Sequence, residues 1–430
     1  MDLQQLPEHL LEAAISVAET LRSAGYGAWI VGGAVRDLAL GLDAGDLDIA
    51  TEATPERLEP LFPGSVGVGR AFGTLIVPTS TRNGRVPVEV TTFRRESGFS
   101  DARHPDRVEY GASLEEDARR RDFTMNALFL DPLSGELRDP ASGLDDLRQG
   151  RLRTVGKPAE RFEEDALRLL RLARFAGRYD LQIEPDTLEA AIGCGHLLER
   201  ISRERIAGEW RKSAGHAGFA AGLEASAKIG ILELAAPGAS QQIENRIALA
   251  RELESLTAPP RLGADLAFAV LFEPLDPASG FGASESFEGA LASLATLKPS
   301  RAESNAAQRV WEFSRNLAAL DRAEFPRAQA IRLARSEEAA RSLCYARARA
   351  AVLNHPPAPV VERVRELTLA SADVLRPAPW LDSRALLAAG LSPGPELGRL
   401  LVELEDRQLE GLLTDREAAL DYVASQRHRF

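Results

Sequence analysis

Asp46 and Asp48 stand two residues apart in GDLDIAT, Gly45 to Thr51, interleaved with Leu47 and Ile49. The alternation reads as a short strand, in which side chains two apart share a face, so both carboxylates lie on one side and the aliphatics on the other. Such a pair suits Mg²⁺, which takes one or two protein carboxylates and completes its shell with water and substrate phosphates. The plainer alternative is an edge strand that shows both aspartates to solvent. The residues upstream favour the metal. VGGAVRD, Val31 to Asp37, places Gly32 and Gly33 between a strand and a helix start. Glycines there let backbone N–H groups approach a phosphate, the helix N-terminus adds positive potential, and Arg36 offers a fork of donors. A phosphate cradle followed by a carboxylate pair is the layout of a phosphoryl-transfer site, in which metal ions activate a hydroxyl and neutralise a departing pyrophosphate. Glu89, in the strand VEV, is a candidate third carboxylate whose direction the sequence leaves open.

A second polar set lies in RFEEDALRLLRLARFAG. Its apolar residues cover a wide helix face, while Asp165, Arg168, Arg171 and Arg174 recur every three residues as one polar stripe. A solvated stripe with an i,i+3 ion pair is one reading. The other is base recognition: cytosine and adenine both present an amino donor beside a ring-nitrogen acceptor, so a carboxylate and a guanidinium together select them against uracil and guanine. In RRRDFTMNAL, Arg121 is placed to contact a triphosphate, Asp122 a ribose hydroxyl, and Asn126 to support either; taken singly, each also suits a surface or capping position. GVGRAFG, with Glu89 further on, imitates a dinucleotide fingerprint, but TLIVPT after Gly73 reads as a strand where that motif requires a helix.

These residues need elements to hold them. Over residues 1–150 a helix ending at Gly25 precedes five β-rich runs (AWIVGG, DLDIAT, GTLIVPT, VPVEVTTF, MNALFLDP), with a helix opened by Thr54 and Pro55 between the second and third. This predicts an α/β (α+β) head with a mixed five-stranded sheet. Arg94 to Gly111 has no steady period and reads as a long mobile loop. After Gly150 the strand signals largely stop, and Ala, Leu, Arg and Glu recur at helical spacing to the end, with no internal repeat.

At 430 residues the chain predicts two to four domains. Its apolar runs are too short for a membrane span, its start is not a signal peptide, and Cys194 and Cys344 make neither a disulfide framework nor a cysteine zinc site. Those features predict a cytoplasmic protein without a membrane partner. The net charge of −12 argues against a general nucleic-acid binder. Arg327 to Arg365, however, holds eight arginines and three glutamates. Arginine bias of genomic origin and a stripe of phosphate contacts are both compatible with that segment.

VGGAVRDLALGLDAGDLDIAT, RRDFTMNAL, DPASGLDDL, RFEEDALRLLRLARF and ISRERIAGEW occur in the order and approximate spacing of the class II CCA-adding tRNA nucleotidyltransferases and bacterial poly(A) polymerases, which the chain resembles over about residues 25 to 215. GLSPGPELGRLLVELEDRQLEG is a weaker likeness near the C-terminus. The resemblance implies a nucleotidyltransferase head (1–150), a helical neck for base recognition (151–215), a helical body (216–325) and a helical tail that binds tRNA (326–430). It implies Mg²⁺ on Asp46 and Asp48 supported by Glu89, triphosphate and sugar at Gly33, Arg36, Arg121 and Asp122, and a protein template for the base in Asp165 and Arg168, with Arg171 and Arg174 nearby. Arg94 to Glu109 falls where the family carries a flexible loop, here of full length, which argues against CC-only activity. No His-Asp doublet occurs, so the phosphohydrolase domain of some relatives is not expected. Three products share such a head: CCA added to tRNA from CTP and ATP, the terminal A alone added after a separate CC-adding enzyme, or a poly(A) tail. A catalytically inactive tRNA clamp would be expected to lack one of Asp46, Asp48, Asp165 or Arg168, and all are present.

Overall fold

The computed structural model describes residues 2–67, 73–99, 105–272, 284–319, 326–335, 337–354 and 359–426. Leu10, Ala13, Ala14, Val17, Ala18 and Leu21 are buried along one face of α1 (Glu8–Ser23). The helix stops as its sequence predicts: Gly25 takes φ +86°, and Tyr26 N–H donates to the Leu21 carbonyl at 3.0 Å. Then follow β1 (Trp29–Val31), α2 (Gly33–Ala39), β2 (Asp48–Thr51), α3 (Pro55–Leu61), β3 (Val66–Gly67), β4 (Thr74–Thr81), β5 (Gly84–Thr92), β6 (Arg94–Ser97), β7 (Arg107–Tyr110) and α4 (Leu114–Arg119). A 3-10 turn at Thr124–Asn126 leads to β8 (Phe129–Leu130), β9 (Leu137–Arg138), α5 (Gly143–Arg148) and β10 (Arg151–Leu152). Helices α6 (Pro158–Glu164) and α7 (Leu167–Tyr179), strand β11 (Gln182–Ile183), and helices α8 (Pro185–Cys194), α9 (Arg203–Ala214), α10 (Phe219–Ile229) and α11 (Leu232–Ala235) complete this half.

The sheet has seven strands in the order β3-β4-β5-β2-β1-β8-β9, not the five expected. The two additional strands, β3 and β9, are two residues long, too short to show a period. The mixed character holds: β2 and β5 run parallel and every other pairing in this sheet is antiparallel. Val31, Asp48 and Glu89 face one another in register across β1, β2 and β5, so the glycine turn leaves the sheet where the carboxylates sit. Beneath, Val31, Ala50, Phe93, Ala118 and Phe129 form a core cluster that joins the sheet to α4, with Phe93 and Phe129 edge to face at 6.1 Å.

Three further expectations change. The segment from Arg94 to Gly111 is not a loop at its ends: β6 and β7 pair from Arg94↔Tyr110 to Ser97↔Arg107, making a hairpin stem. Its charge-rich alternation (RRES, RVEY) hid a two-stranded ribbon. Beyond Gly150, β10 and β11 form a short parallel ladder. The run RFEEDALRLLRLARFAG is two helices, because Asp165 takes an extended conformation between α6 and α7. Gly69 of the false dinucleotide motif lies outside the described residues, while Gly73 opens directly into β4, as the sequence predicts.

Residues 1–213 and 218–240 form one compact unit; 214–217 and 241–430 form a second. In the second unit the order is α12 (Ile243–Leu256), α13 (Gly263–Phe272), α14 (Ser284–Thr296), α15 (Arg301–Ala319), α16 (Arg327–Ala334), α17 (Glu337–Val352), α18 (Pro359–Thr368), α19 (Ala372–Leu375), α20 (Ser383–Ala388), α21 (Pro395–Leu409) and α22 (Arg416–Ser425), with no strand among its described residues. Leu266 to Phe272 of α13 are all buried, and the Ala269 carbonyl accepts from Trp311 Nε1 at 3.4 Å and from the Tyr345 hydroxyl at 3.3 Å. Among the described residues no helix is long and apolar enough to cross a membrane.

Candidate active site

Asp48 opens β2, and Asp46 lies just outside it, in the segment leading to the strand rather than in the strand itself. Glu89, between buried Val88 and Val90, turns to the exposed side of β5. Asp46, Asp48 and Glu89 line one pocket. Gly32 sits at φ +69°, a conformation that L side chains rarely adopt, and a Cβ there would stand in van der Waals contact with Asp48 Oδ2 at 3.5 Å. Burial, then the charge of Glu89, raise the Asp48 carboxyl to about 6; Arg121 opposes the shift and Asp46 adds to it. The site thus carries an excess of negative charge that a cation would relieve. Among the described residues no three His, Cys, Asp or Glu side chains form a group that could hold a metal ion by themselves. The donors present are carboxylate oxygens, which fit a hard divalent cation that draws the rest of its shell from substrate and water.

Arg121 follows α4. Its Nη2 donates to Asp117 Oδ2 at 2.9 Å, its Nη1 to the Asn126 carbonyl at 3.1 Å, and its guanidinium lies 4.8 Å from the Phe129 ring centre. Arg36 is placed differently from the free phosphate fork expected of it. It is buried, 5% exposed, paired with Asp37 at 2.8 Å, donating to Asn126 Oδ1 at 2.6 Å and stacked 4.5 Å from the Tyr179 ring centre. In this position Arg36 ties α2, which begins at Gly33, to the 3-10 turn and to α7.

Asp122 is saturated. Its Oδ1 accepts from Phe123 N–H at 2.8 Å and Asn126 Nδ2 at 2.9 Å, and its Oδ2 accepts from Arg171 Nε at 2.8 Å and Nη2 at 2.5 Å. Burial would raise this carboxyl; Arg171, the Asn126 hydrogen bond and Arg168 outweigh it and hold it well below the usual carboxylate range. Arg36, Asn126, Asp122 and Arg171 therefore form one continuous chain of hydrogen bonds from the glycine turn to the α7 helix.

Asp165 and Arg168 do not pair with each other. Asp165 accepts two bonds from Arg205 Nη2, at 3.1 and 2.9 Å, and one from Leu167 N–H at 3.1 Å. Arg168 donates to Glu164 at 2.7 Å and to the carbonyls of Arg161 and Arg120 at 2.9 and 3.1 Å. Arg174 is buried against Glu209 at 2.8 Å with Phe175 beneath its guanidinium at 4.2 Å. The solvated stripe with an i,i+3 ion pair is thus not what forms. Arg205, Glu164, Glu209 and Asp117 escaped the reading of the sequence as partners. Arg205 lies inside ISRERIAGEW, but nothing local ties it to a carboxylate forty residues earlier.

The basic segment is largely neutralised within the second unit. Arg332 and Arg335 reach Glu405 at 3.1 and 2.5 Å, Arg341 reaches Asp265 at 2.5 Å, and Arg347 and Arg365 share Glu362 at 3.1 and 2.6 Å. Arg349 is buried.

Residues 28–153 match the family described as the Poly A polymerase head domain, and 180–242 the probable RNA and SrmB-binding site of polymerase A. The chain is 35% identical to a CCA-adding enzyme of Streptococcus gordonii over 444 aligned residues, 99% of this chain and 100% of that one. It is 44% identical to a CCA-adding enzyme of Ligilactobacillus salivarius, where the match spans about half of each protein, 49% of this chain and 51% of the relative. Its fold superposes on the Bacillus stearothermophilus CCA-adding enzyme in complex with CTP with a TM-score of 0.67 and 28% identity, over 99% of this chain and all of that one. The chain belongs to the CCA-adding enzyme family.

Proposed function

We propose that this protein is a template-independent tRNA nucleotidyltransferase that adds the 3′-terminal CCA to tRNA from CTP and ATP and releases pyrophosphate. The observation that carries the reading is the alignment of Asp48 with Glu89, beside Asp46 and the Gly32–Gly33 turn, in the same compact unit as Asp165 and Arg168. Asp46 and Asp48 are the residues that would hold Mg²⁺, with Glu89 alongside. When bound, the ion supplies charge neutralisation and a more acidic 3′-hydroxyl. The 3′-hydroxyl of the RNA gives its proton to water as its oxygen forms a bond to the α-phosphorus, the bond from the α-phosphorus to the α–β bridging oxygen breaks, and that oxygen leaves with the pyrophosphate. Arg121, fixed by Asp117, brings positive charge to the edge of the carboxylate row. Arg168 donates to the ring nitrogen of cytosine or adenine, and Asp165 accepts from the amino group; three of the roughly four acceptor sites on Asp165 are used by Arg205 and Leu167, which leaves one on Oδ2. Uracil and guanine present the reverse pattern. The helical tail, residues 326–430, is the part that holds tRNA, and residues 180–242 match a probable RNA-binding site of polymerase A.

Two labelled tRNA transcripts test this, one ending at the discriminator base and one in CC, each with Mg²⁺ and CTP, ATP or both. Extension of the first by CCA is the expected result. A single A added only to the CC-ended transcript would make the protein an A-adding enzyme dependent on a CC-adding partner, and a long A tract would make it a poly(A) polymerase.

A further inference from the structure

Asp117 lies in the short helix α4, is completely buried at 0% exposure, and has no part in the site described above beyond its bonds to Arg121. Its Oδ1 accepts from Arg120 Nε at 2.7 Å and from the Arg94 backbone N–H at 3.4 Å. Its Oδ2 accepts from Arg121 Nη2 at 2.9 Å and Nε at 3.3 Å. One carboxylate thus gathers the first residue of the β6–β7 stem and two successive arginines. Arg121 leads from there toward the carboxylate row: its guanidinium lies 4.8 Å from the Phe129 ring centre, Phe129 stands opposite Val31 in the sheet, and Val31 stands opposite Asp48. Arg120 leads back to Glu96 of the stem at 3.4 Å, while its carbonyl accepts from Arg168 at 3.1 Å. Burying a carboxylate is expensive and pushes its pKa up; here Arg120 and Arg121 outweigh burial and hold it below the ordinary value. An asparagine would fill the same space, so the charge is not there for packing. What the charge adds is a fixed direction for two guanidiniums.

We propose that Asp117 is a positioning residue for nucleotidyl transfer, its carboxylate aiming Arg121 at the row formed by Asp46, Asp48 and Glu89. The proposal rests on the nucleotidyltransferase reading above and adds to it the residue through which Arg121 is set.

The test is a double-variant cycle on CC-ended tRNA with ATP and Mg²⁺, comparing wild type, Asp117→Asn, Arg121→Ala and the two combined. Asp117→Asn is expected to lower kcat/KM for ATP at least tenfold with tRNA affinity unchanged. In the Arg121→Ala background the same substitution is expected to change kcat/KM less than twofold, because the group it acts through is gone. An equal loss in both backgrounds overturns the proposal, since Asp117 would then act on the fold and not through Arg121. If Asp117→Asn does not fold, as judged by circular dichroism, Asp117→Glu replaces it in the same cycle: it keeps the charge and moves it by one methylene, and the same criterion applies. A wild-type protein that extends no tRNA overturns the functional reading and this proposal together. An active wild type with an additive cycle overturns the positioning role alone.

Discussion

Asp48 shows at the scale of one residue how the fold opposes the ionisation of a carboxyl that it aligns beside another. Its folded pKa of about 6 exceeds the ordinary 3.8, so the folded chain binds the proton more tightly than the unfolded chain. That contribution to stability is fully present below pH 3.8 and is lost as pH rises through about 6. Asp48→Asn removes the charge and is expected to abolish nucleotide addition. It should also raise stability at pH 7.5 in metal-free buffer by about 1–2 kcal/mol once partial exposure is discounted, or a few degrees in Tm. Mg²⁺ should raise the Tm of wild type and leave that of the variant unchanged. An unaltered metal response in Asp48→Asn would remove this residue from the metal site. Asp165→Ala is expected to relax selection of CTP and ATP against UTP more than it slows transfer, measured by single-nucleotide incorporation; unchanged discrimination would discard the base-reading role. The candidate residues were legible because glycines, paired acids and arginines at short spacing carry their chemistry locally. Their partners were not: Arg205 for Asp165, Glu209 for Arg174 and Arg171 for Asp122 are 35 to 49 positions apart, and no local pattern marks such a pair.

At the scale of elements, α7 owes its place to three glycines. A Cβ on Gly177 would lie 2.3 Å from the Gly218 carbonyl oxygen and 2.4 Å from Gly222 N, so α7 and α10 touch backbone to backbone. Gly177→Ala has to push the helices apart. It is expected to cost about 1–3 kcal/mol or more and to lower Tm by roughly 5–10 °C, read by thermal denaturation. Arg168 and Arg171 ride on α7, so the nucleotide KM should rise as well. A variant with wild-type Tm would show that the two helices separate without cost. Helix α1, with its glycine stop, and the five longer strand runs were readable because each has a period long enough to register. The β6–β7 stem was missed because RRES of β6 holds no apolar residue and RVEY of β7 alternates over only four residues, and β3, β9, β10 and β11 because two residues have no period at all.

At the scale of the whole chain, a helical second half was readable from composition, whereas the fate of its charges was not. Five of the eight arginines between Arg327 and Arg365 face carboxylates of their own unit. An arginine in contact with RNA phosphate contributes about 0.7 to the slope of log affinity against log salt. Arg332→Ala and Arg335→Ala are each expected to change the slope for tRNA by less than about 0.3 while lowering Tm by a few degrees. A change near 0.7 for either would show that it leaves its glutamate for the RNA.

The pairing of Asp48 with Glu89, against that of Asp165 with Arg205, also has a consequence in time. A chain made from its N-terminus brings the carboxylate row within reach once residue 89 has been added, but the partner of Asp165 is not made until residue 205. At about 5–20 residues per second, the two events are separated by roughly 6–23 seconds. For that interval the nascent chain carries Asp48 and Glu89 together while the Asp165–Arg205 ion pair is still incomplete. The ion pair that fixes Asp165 is therefore completed later in synthesis than the strand pairing that aligns Asp48 with Glu89.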